Sequence, residues 1–514
     1  MQKVFFPLSG KEFLGLLILA FLGSFYAYQL SWICDDAFIS FQYARNFAEG
    51  KGLVFQSGER VEGYSNFLWT IFLSLSFPLK ISPESLSIYS GIFFYFCTIL
   101  LFRNLPEAIL YLAFYHGTVF ATGGLETSSY TFMIFLLFRL WESGQKWNAI
   151  VFSALLPLVR PEGAIWTLGL LGLIFYETVF SRRSISKFWI RITKRNSKFY
   201  HFLGTSPRKI PFQILFIFLC FGIWIGKILY YGDIFPNTYY AKVDGGEYFR
   251  QGLVYFFLFF KEYKAFSIIL LICIIFHRSK FSWLVLLYLG YVLYVGGDFM
   301  FGRFLVPIIP VGICMVWDRF QSAKKVWEER SPMMAKYLYP LTFGLLLISP
   351  IVRGKIYANN PEKIWKETGV SEERILYKDL GKGKFLYNTE MLKDCNVAFF
   401  GSQAHFIYYM KPKLGIESST GLTDPFISRI KLENRGMIGH EKKAPLDYLR
   451  ERNVHLLMMD VYPELNENER IIYNWNQNPL TWVILKKDPC MDGWAEIPEI
   501  LWVKKSKEIP KDRF

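Results

Sequence analysis

Cysteine is scarce in this chain and poorly placed for a metal. There are seven in 514 residues, and five of them lie in or beside apolar stretches. Only Cys395 and Cys490 share the C-terminal part, at a spacing that fits no metal-site pattern, so a zinc module is not indicated and a disulfide between them stays open. Internal repeats are missing too, which argues against a transporter built from repeated halves. No small-residue cleavage site follows the first apolar run. With Lys3 and Lys11 ahead of a run to Leu30, the N-terminus reads as an uncleaved signal-anchor. Acid is wholly absent from residues 181–211, which hold Arg182, Arg183, Lys187, Arg191, Lys194, Arg195, Lys198, Arg208 and Lys209. A basic loop between two apolar spans marks the cytoplasmic side of a membrane protein. It accounts for much of the net charge of +15 without nucleic acid.

What is present is apolar surface. Residues of hydrophobic type make up 52% of the chain and aromatics 19%, and apolar stretches recur from Phe13 to about Val352. Each is long enough, or nearly so, to cross roughly 30 Å of hydrocarbon. From Arg353 the sequence turns to ordinary mixed polarity, with 26 basic against 23 acidic residues. The division expected is a membrane part, 1–352, followed by a soluble part, 353–514, outside the cytoplasm. Short runs such as Val397–Phe400 and His455–Met459, set among helical patterns, give the soluble part an α/β character with a small sheet.

Parity refines the topology. If Gly10–Trp32 runs outward and 181–211 is cytoplasmic, an odd number of crossings must separate them. Six apolar stretches lie between: 67–80, 86–102, 106–121, 126–141, 147–160 and 163–180. The first is short and ends at Pro78 and Lys80, so it reads as re-entrant or juxtamembrane. Arg103, Lys146, His277–Lys280 and 318–336 then fall on the cytoplasmic side, giving about eleven spans. The fold class expected is therefore mostly α, a polytopic helix bundle with a C-terminal α/β domain.

In this topology the polar motifs gather on the outer face, between residues 32 and 85 and in later outer loops. Asp35 and Asp36 open the first. Adjacent carboxylates at a membrane surface are costly unless used, as a base with its orienting partner or around a cation. The plainer reading is that they start the amphipathic run 37–48, where acids suit a helix N-terminus. Arg45, Glu62 and Tyr64 follow in the same loop. Glu126 stands at the mouth of a later span and Arg160 with Glu162 at another, where an ion pair at a helix end would look the same. Asn237, Tyr239, Tyr240 and Lys242 mix aromatic and polar groups as a sugar-binding surface does, though an interfacial aromatic belt is the alternative. Asp298 and Arg303 lie in a glycine-rich segment beginning at Gly296. Together they outline a cavity with an acidic base and several cations.

The run DDAFISFQYARNFAEGKGLVFQSGERVEGYSNFLWT, residues 35–70, resembles the first outer loop of bacterial GT-C glycosyltransferases that use polyprenyl-phosphate sugars, the mycobacterial terminal arabinofuranosyltransferases among them. TGGLET, RPEG, PNTYYAK, GGDFMFGRF and GLTDPFISR recur in that group in the same order, so the resemblance extends over almost the whole chain. It implies a multi-pass enzyme of the bacterial inner membrane with its N-terminus cytoplasmic. Its outer-facing site would move a sugar from a polyprenyl-phosphate donor to an envelope glycan, lipid or protein, with inversion. Asp35 or Asp36 becomes the base; Arg160, Lys242 and Arg303 hold the donor phosphate. Arg45, Glu62, Tyr64, Glu126, Glu162, Asn237, Tyr239, Tyr240 and Asp298 line the substrates. No cofactor or metal ligand is implied, although paired carboxylates are able to bind a divalent ion. Two departures matter: Gln42 stands where a basic residue is expected, and the C-terminal domain is short, so the arabinose assignment does not carry over. A flippase of lipid-linked glycans and a non-catalytic assembly protein are the competing readings.

Overall fold

A computed structural model describes residues 9–179, 210–243, 248–377, 392–399, 404–432, 439–459, 470–474, 481–486 and 488–491. Most of the basic stretch 181–211 lies outside the described residues. The fold is mostly helical, with one small sheet in the C-terminal region.

Helix α1 (Gly10–Gln29) shows how the bundle is built. Ser9 and Glu12 form a reciprocal capping box at its start, the Ser9 hydroxyl accepting from the Glu12 amide at 3.3 Å and the Glu12 carboxylate from the Ser9 amide at 3.0 Å. Leu16, Ala20, Gly23 and Ala27 make one buried stripe, while Phe13, Phe21 and Phe25 are exposed. The small residues let α4 (Pro83–Leu100) and α5 (Leu105–Ala113) approach closely. A Cβ on Gly91 of α4 would lie 2.0 Å from the Ala121 carbonyl oxygen. That carbonyl sits just before the Thr122–Glu126 segment, and Ser128 adds a hydrogen bond to the Gly91 carbonyl at 2.8 Å.

Among the described residues, three helical stretches are long and apolar enough to cross a membrane: α1, α8 (Ile210–Tyr231) and Pro340–Ala358. With α6 (Thr127–Glu142), α7 (Gly163–Val179), α9 (Asn237–Val243), α10 (Phe249–Tyr263), α11 (Ala265–Ile275), α12 (Phe281–Tyr294) and α13 (Ile309–Arg330) they form a bundle whose outward side chains are large and apolar. Leu168, Phe212, Phe218, Leu229, Phe257 and Trp283 are all more than 60% exposed, a surface suited to hydrocarbon rather than water. Not every apolar stretch is a full span. Residues 106–121 and 147–160 are each two helices, the second pair broken before Pro157. Stretch 67–80 is the eight-residue helix α3 (Phe67–Ser74) followed by turns, about 12 Å of helix and too short to cross.

The C-terminal sheet has the order β2-β1-β3-β5-β4, from β1 (Asn396–Phe399), β2 (Leu414–Glu417), β3 (Leu456–Met459), β4 (Arg470–Asn474) and β5 (Thr481–Ile484). The two apolar runs singled out in the sequence are β1 and β3, which pair in parallel. Strand β1 also pairs in parallel with β2, and β5 runs antiparallel to both neighbours. The crossover from β1 to β2 contains α14 (Ala404–Met410). Its N-terminus lies at the carboxyl edge of the parallel strands, the edge where α/β sheets generally receive ligands. Cys395 and Cys490 are joined in a disulfide that ties β1 to the segment after β5. The apolar core is continuous from the bundle into this region, taking in Val370, Val397, Phe399 and Leu456.

Replacing Gly91 with Val should lower the thermal stability of the detergent-solubilised protein by about 1–3 kcal/mol, because the Ala121 carbonyl cannot retreat without moving α6. Unfolding followed by tryptophan fluorescence checks this.

Candidate active site

The end of the bundle that meets the C-terminal sheet carries most of the polar residues singled out above, and their hydrogen bonds separate them into groups. Helix α2 (Asp35–Ala48) begins with both acids in its first turn, yet neither side chain caps it. Asp35, 2% exposed, reaches instead to the start of α14, accepting from the amides of Ala404 at 3.0 Å and His405 at 3.1 Å. The His405 Nδ1 contacts the same carboxylate. A helix N-terminus presents unpaired amides that favour an anion, and here the anion is a side chain of the same protein.

Asp36 is different. It is half-buried and has no hydrogen bond or ion pair among the described residues. Burial pushes its carboxyl above the ordinary range, Lys242 and Arg303 pull it down, and Asp35 and Asp298 push it up again.

Around it lies a buried ionic network. Glu126, 0% exposed, accepts from Asn66 Nδ2 at 2.7 Å and pairs with Arg160 and, at 3.4 Å, with Arg303. Asn66 is itself aimed by Ser40 and Thr70, each donating to its Oδ1 at 3.0 Å. Arg160 also pairs with Glu162, and Arg303 with Asp298 at 3.3 Å. Three carboxylates thus face two guanidiniums. Arg160 is doubly compensated, so little of its charge is left for a phosphate. Arg303 keeps its buried Nε–H without an acceptor among the described residues. Lys242 has no hydrogen bond or ion pair among the described residues; its Nζ lies 5.5 Å from the centre of the Phe299 ring and its Cε 3.3 Å from where a Cβ on Gly439 would sit. Gly439 has φ +78, a conformation that only glycine adopts readily, so the backbone passes close over the lysine stem.

The remaining residues sit elsewhere. Arg45 donates to the Tyr408 carbonyl at 2.8 Å and lies over the Tyr408 ring, while Gln42 accepts from its guanidinium. Glu62 pairs with Lys227 of α8, and Tyr64 shares a hydrogen bond with Tyr231 at 3.1 Å. Asn237 is spent on docking. Its Nδ2 is within 2.8–3.2 Å of the carbonyls of Gly421, Leu422 and Asp424, and its Oδ1 accepts from Ser428 at 2.8 Å. Tyr240 donates to Asp233 at 2.9 Å beneath the Arg429 guanidinium, and Tyr239 is exposed, stacked on Phe235. The motif pairs PNTYYAK and GLTDPFISR therefore meet as an interface within the chain.

Two acids with no mark in the sequence join the group around Asp36. Glu373, 8% exposed, is held by the Ser371 hydroxyl, and its carboxyl is coupled to Asp36, Asp35 and Asp298. Glu417, at the carboxyl end of β2, accepts from Thr423 at 3.1 Å and has a second buried oxygen with no partner among the described residues. Burial, then Asp35 and Asp36, push its carboxyl well above the usual range. No pattern of spacing could have linked them to residues 35–36, since the sheet and its strap bring them there across more than 330 positions.

Asp35→Asn should weaken the seat of α14 by about 1.5–3 kcal/mol, since an amide accepts through only one oxygen. The measurable result is faster proteolysis of the region after Arg353, with Asp36→Asn digesting at the native rate.

No family model matches the chain. Among curated proteins it is similar to the terminal beta-(1->2)-arabinofuranosyltransferase of Mycobacterium tuberculosis (strain ATCC 25618 / H37Rv), with 26% identity over 264 residues, 46% of this chain and 39% of that relative. The chain matches well under half the length of that relative. The likeness is distant and covers less than half of either chain, and the apolar helices of the chain indicate membrane association.

Proposed function

We propose that the protein is a GT-C-type membrane glycosyltransferase of the bacterial inner membrane. It moves a sugar from a polyprenyl-phosphate donor to an envelope glycan, lipid or protein acceptor on the side away from the cytoplasm. The observation that carries this reading is the state of Asp36. It is the carboxylate of the cluster left without a hydrogen bond or ion pair among the described residues, yet it is half-buried and faces Lys242 and Arg303 electrostatically. A free carboxylate beside an uncommitted ammonium is the minimum that inverting transfer from a phosphate donor requires.

In this mechanism the acceptor hydroxyl gives its proton to Asp36 as its oxygen attacks the anomeric carbon. The bond from that carbon to the phosphate oxygen breaks with its electron pair, and polyprenyl phosphate leaves. Lys242, with Arg303 behind it, offsets the charge that gathers on the leaving phosphate, an effect strengthened where water is excluded. Glu126, Glu162 and Asp298 position the guanidiniums, and Asp35 holds the C-terminal region in place. Helix α8 stands at the bundle's edge, fixed by Lys227–Glu62 and by Tyr231 to the Leu53 carbonyl at 2.8 Å, where a lipid tail reaches the site from the bilayer. In this reading the region from Arg353 is extracytoplasmic and about eleven spans precede it, an arrangement that the placement of the basic loops supports.

The test uses membranes with labelled polyprenyl-phosphate sugars. Asp36→Asn should lower turnover at least about 100-fold while the C-terminal region stays docked. Lys242→Met should raise the donor KM by about tenfold or more, consistent with loss of a charge-assisted phosphate contact. Full transfer by Asp36→Asn would remove it from the role of base.

A further inference from the structure

The strap that leads from the bundle into the sheet does more than connect them. Ser371 forms a parallel bridge with Met300, its amide donating to the Phe299 carbonyl at 2.7 Å and its carbonyl accepting from the Phe301 amide at 2.9 Å. The strap is thereby stitched to the loop that carries Asp298 and Arg303. Two residues on, the short helix Glu373–Tyr377 is pinned at its other side. The Arg374 Nε donates to the Leu30 carbonyl at 2.8 Å, and the Tyr377 ring contacts His405. Glu373 is thus fixed among three elements that also surround Asp36: the α1–α2 junction, the 296–303 loop and α14.

Glu373 and Asp36 are coupled electrostatically but share no hydrogen bond. The Ser371 hydroxyl is the hydrogen-bond partner of one Glu373 oxygen, and no partner meets the other among the described residues. Two carboxyl groups therefore lie near enough to interact, and each keeps oxygen atoms without a partner among the described residues.

We propose that Glu373 is an acceptor-positioning residue, which holds a sugar hydroxyl or ring oxygen of a polyhydroxylated acceptor beside Asp36. This rests on the glycosyl-transfer reading and names the part of the chain that receives the acceptor, the seam between bundle and strap. The groups facing Glu373 are Asp35, Asp36 and Cys34 from the α1–α2 junction, Asp298 from the loop, and Tyr377, whose ring contacts His405. Burial raises the Glu373 carboxyl to about 8, the Ser371 hydroxyl opposes this, and the charges of Asp36, Asp35 and Asp298 add to it. The sign follows. Below about 8 the group is neutral and donates its O–H; above it, a second anion beside Asp36 loses that donor.

Three kinetic results are expected. In the native enzyme the acceptor KM rises as pH passes about 8, with the donor KM unchanged. Glu373→Gln, a permanent neutral donor, keeps the acceptor KM within about threefold at pH 7 and abolishes the alkaline rise. Glu373→Ala raises the acceptor KM by about tenfold at pH 7 and leaves the donor KM alone. An alkaline rise that persists in Glu373→Gln, or an unchanged acceptor KM in Glu373→Ala, overturns the proposal. A readout that needs no turnover separates its failure from that of the transferase reading. In the infrared difference between native protein and Glu373→Gln, a protonated-carboxyl band should titrate near 8 and shift when an envelope glycan fraction is added. A band that titrates in the ordinary carboxylate range, or ignores the glycan, overturns it equally.

Discussion

The Asp35 carboxylate at the N-terminus of α14 is the contact on which the rest of the assembly depends. A carboxylate 2% exposed would be strongly destabilising if left alone. Two backbone amides and an imidazole offset that cost, and all three come from residues 404–405, some 370 positions away. Because the compensation comes from the far end of the chain, burying Asp35 and seating the sheet are one event. The neighbouring residue inherits the result: once Asp35 is committed, Asp36 is left as the carboxylate with nothing to bind among the described residues. The two acids look alike in sequence and are opposite in state.

The buried pairs around Glu126 obey the same physics. Arg160, Arg303, Glu126, Glu162 and Asp298 come from three separate loops, and none would tolerate burial without the others. Their cost is met by mutual pairing and by the Asn66 amide, which Ser40 and Thr70 hold in one orientation. Such a network favours a single arrangement of the loops. It also explains why three basic residues that look equivalent in the sequence are not: Arg160 and Arg303 are each paired with two carboxylates, whereas Lys242 has no hydrogen bond or ion pair among the described residues.

Much of the architecture was legible along the chain. Apolar length and the placement of basic loops marked a helical bundle, and the runs at 397 and 455 marked strands of a small sheet. The early stop at Pro78 and Lys80 pointed to 67–80 as the stretch that does not cross, and the helix there is eight residues long. Less legible was the length of individual helices, since 106–121 and 147–160 are continuous in hydropathy but broken in backbone. In the site, the motifs identified the right end of the molecule without distinguishing docking from chemistry. Asn237, Arg45 and Tyr240 have the composition of a binding surface, and their partners are the chain's own carbonyls, rings and acids. Polar groups that bind a sugar and polar groups that bind backbone obey the same donor and acceptor rules, so composition alone does not separate them.

By itself the sequence determined which segments suit hydrocarbon, which carry compensating charge, and which loops concentrate acids and bases, because hydropathy and charge are properties of single residues and short runs. Only the tertiary structure decided which of those charges is spent and which is spare. That depends on partners brought in from hundreds of residues away, with Asp35 taken up by α14, Arg160 by two carboxylates, and Glu373 and Glu417 delivered by a strap and a strand with no motif of their own.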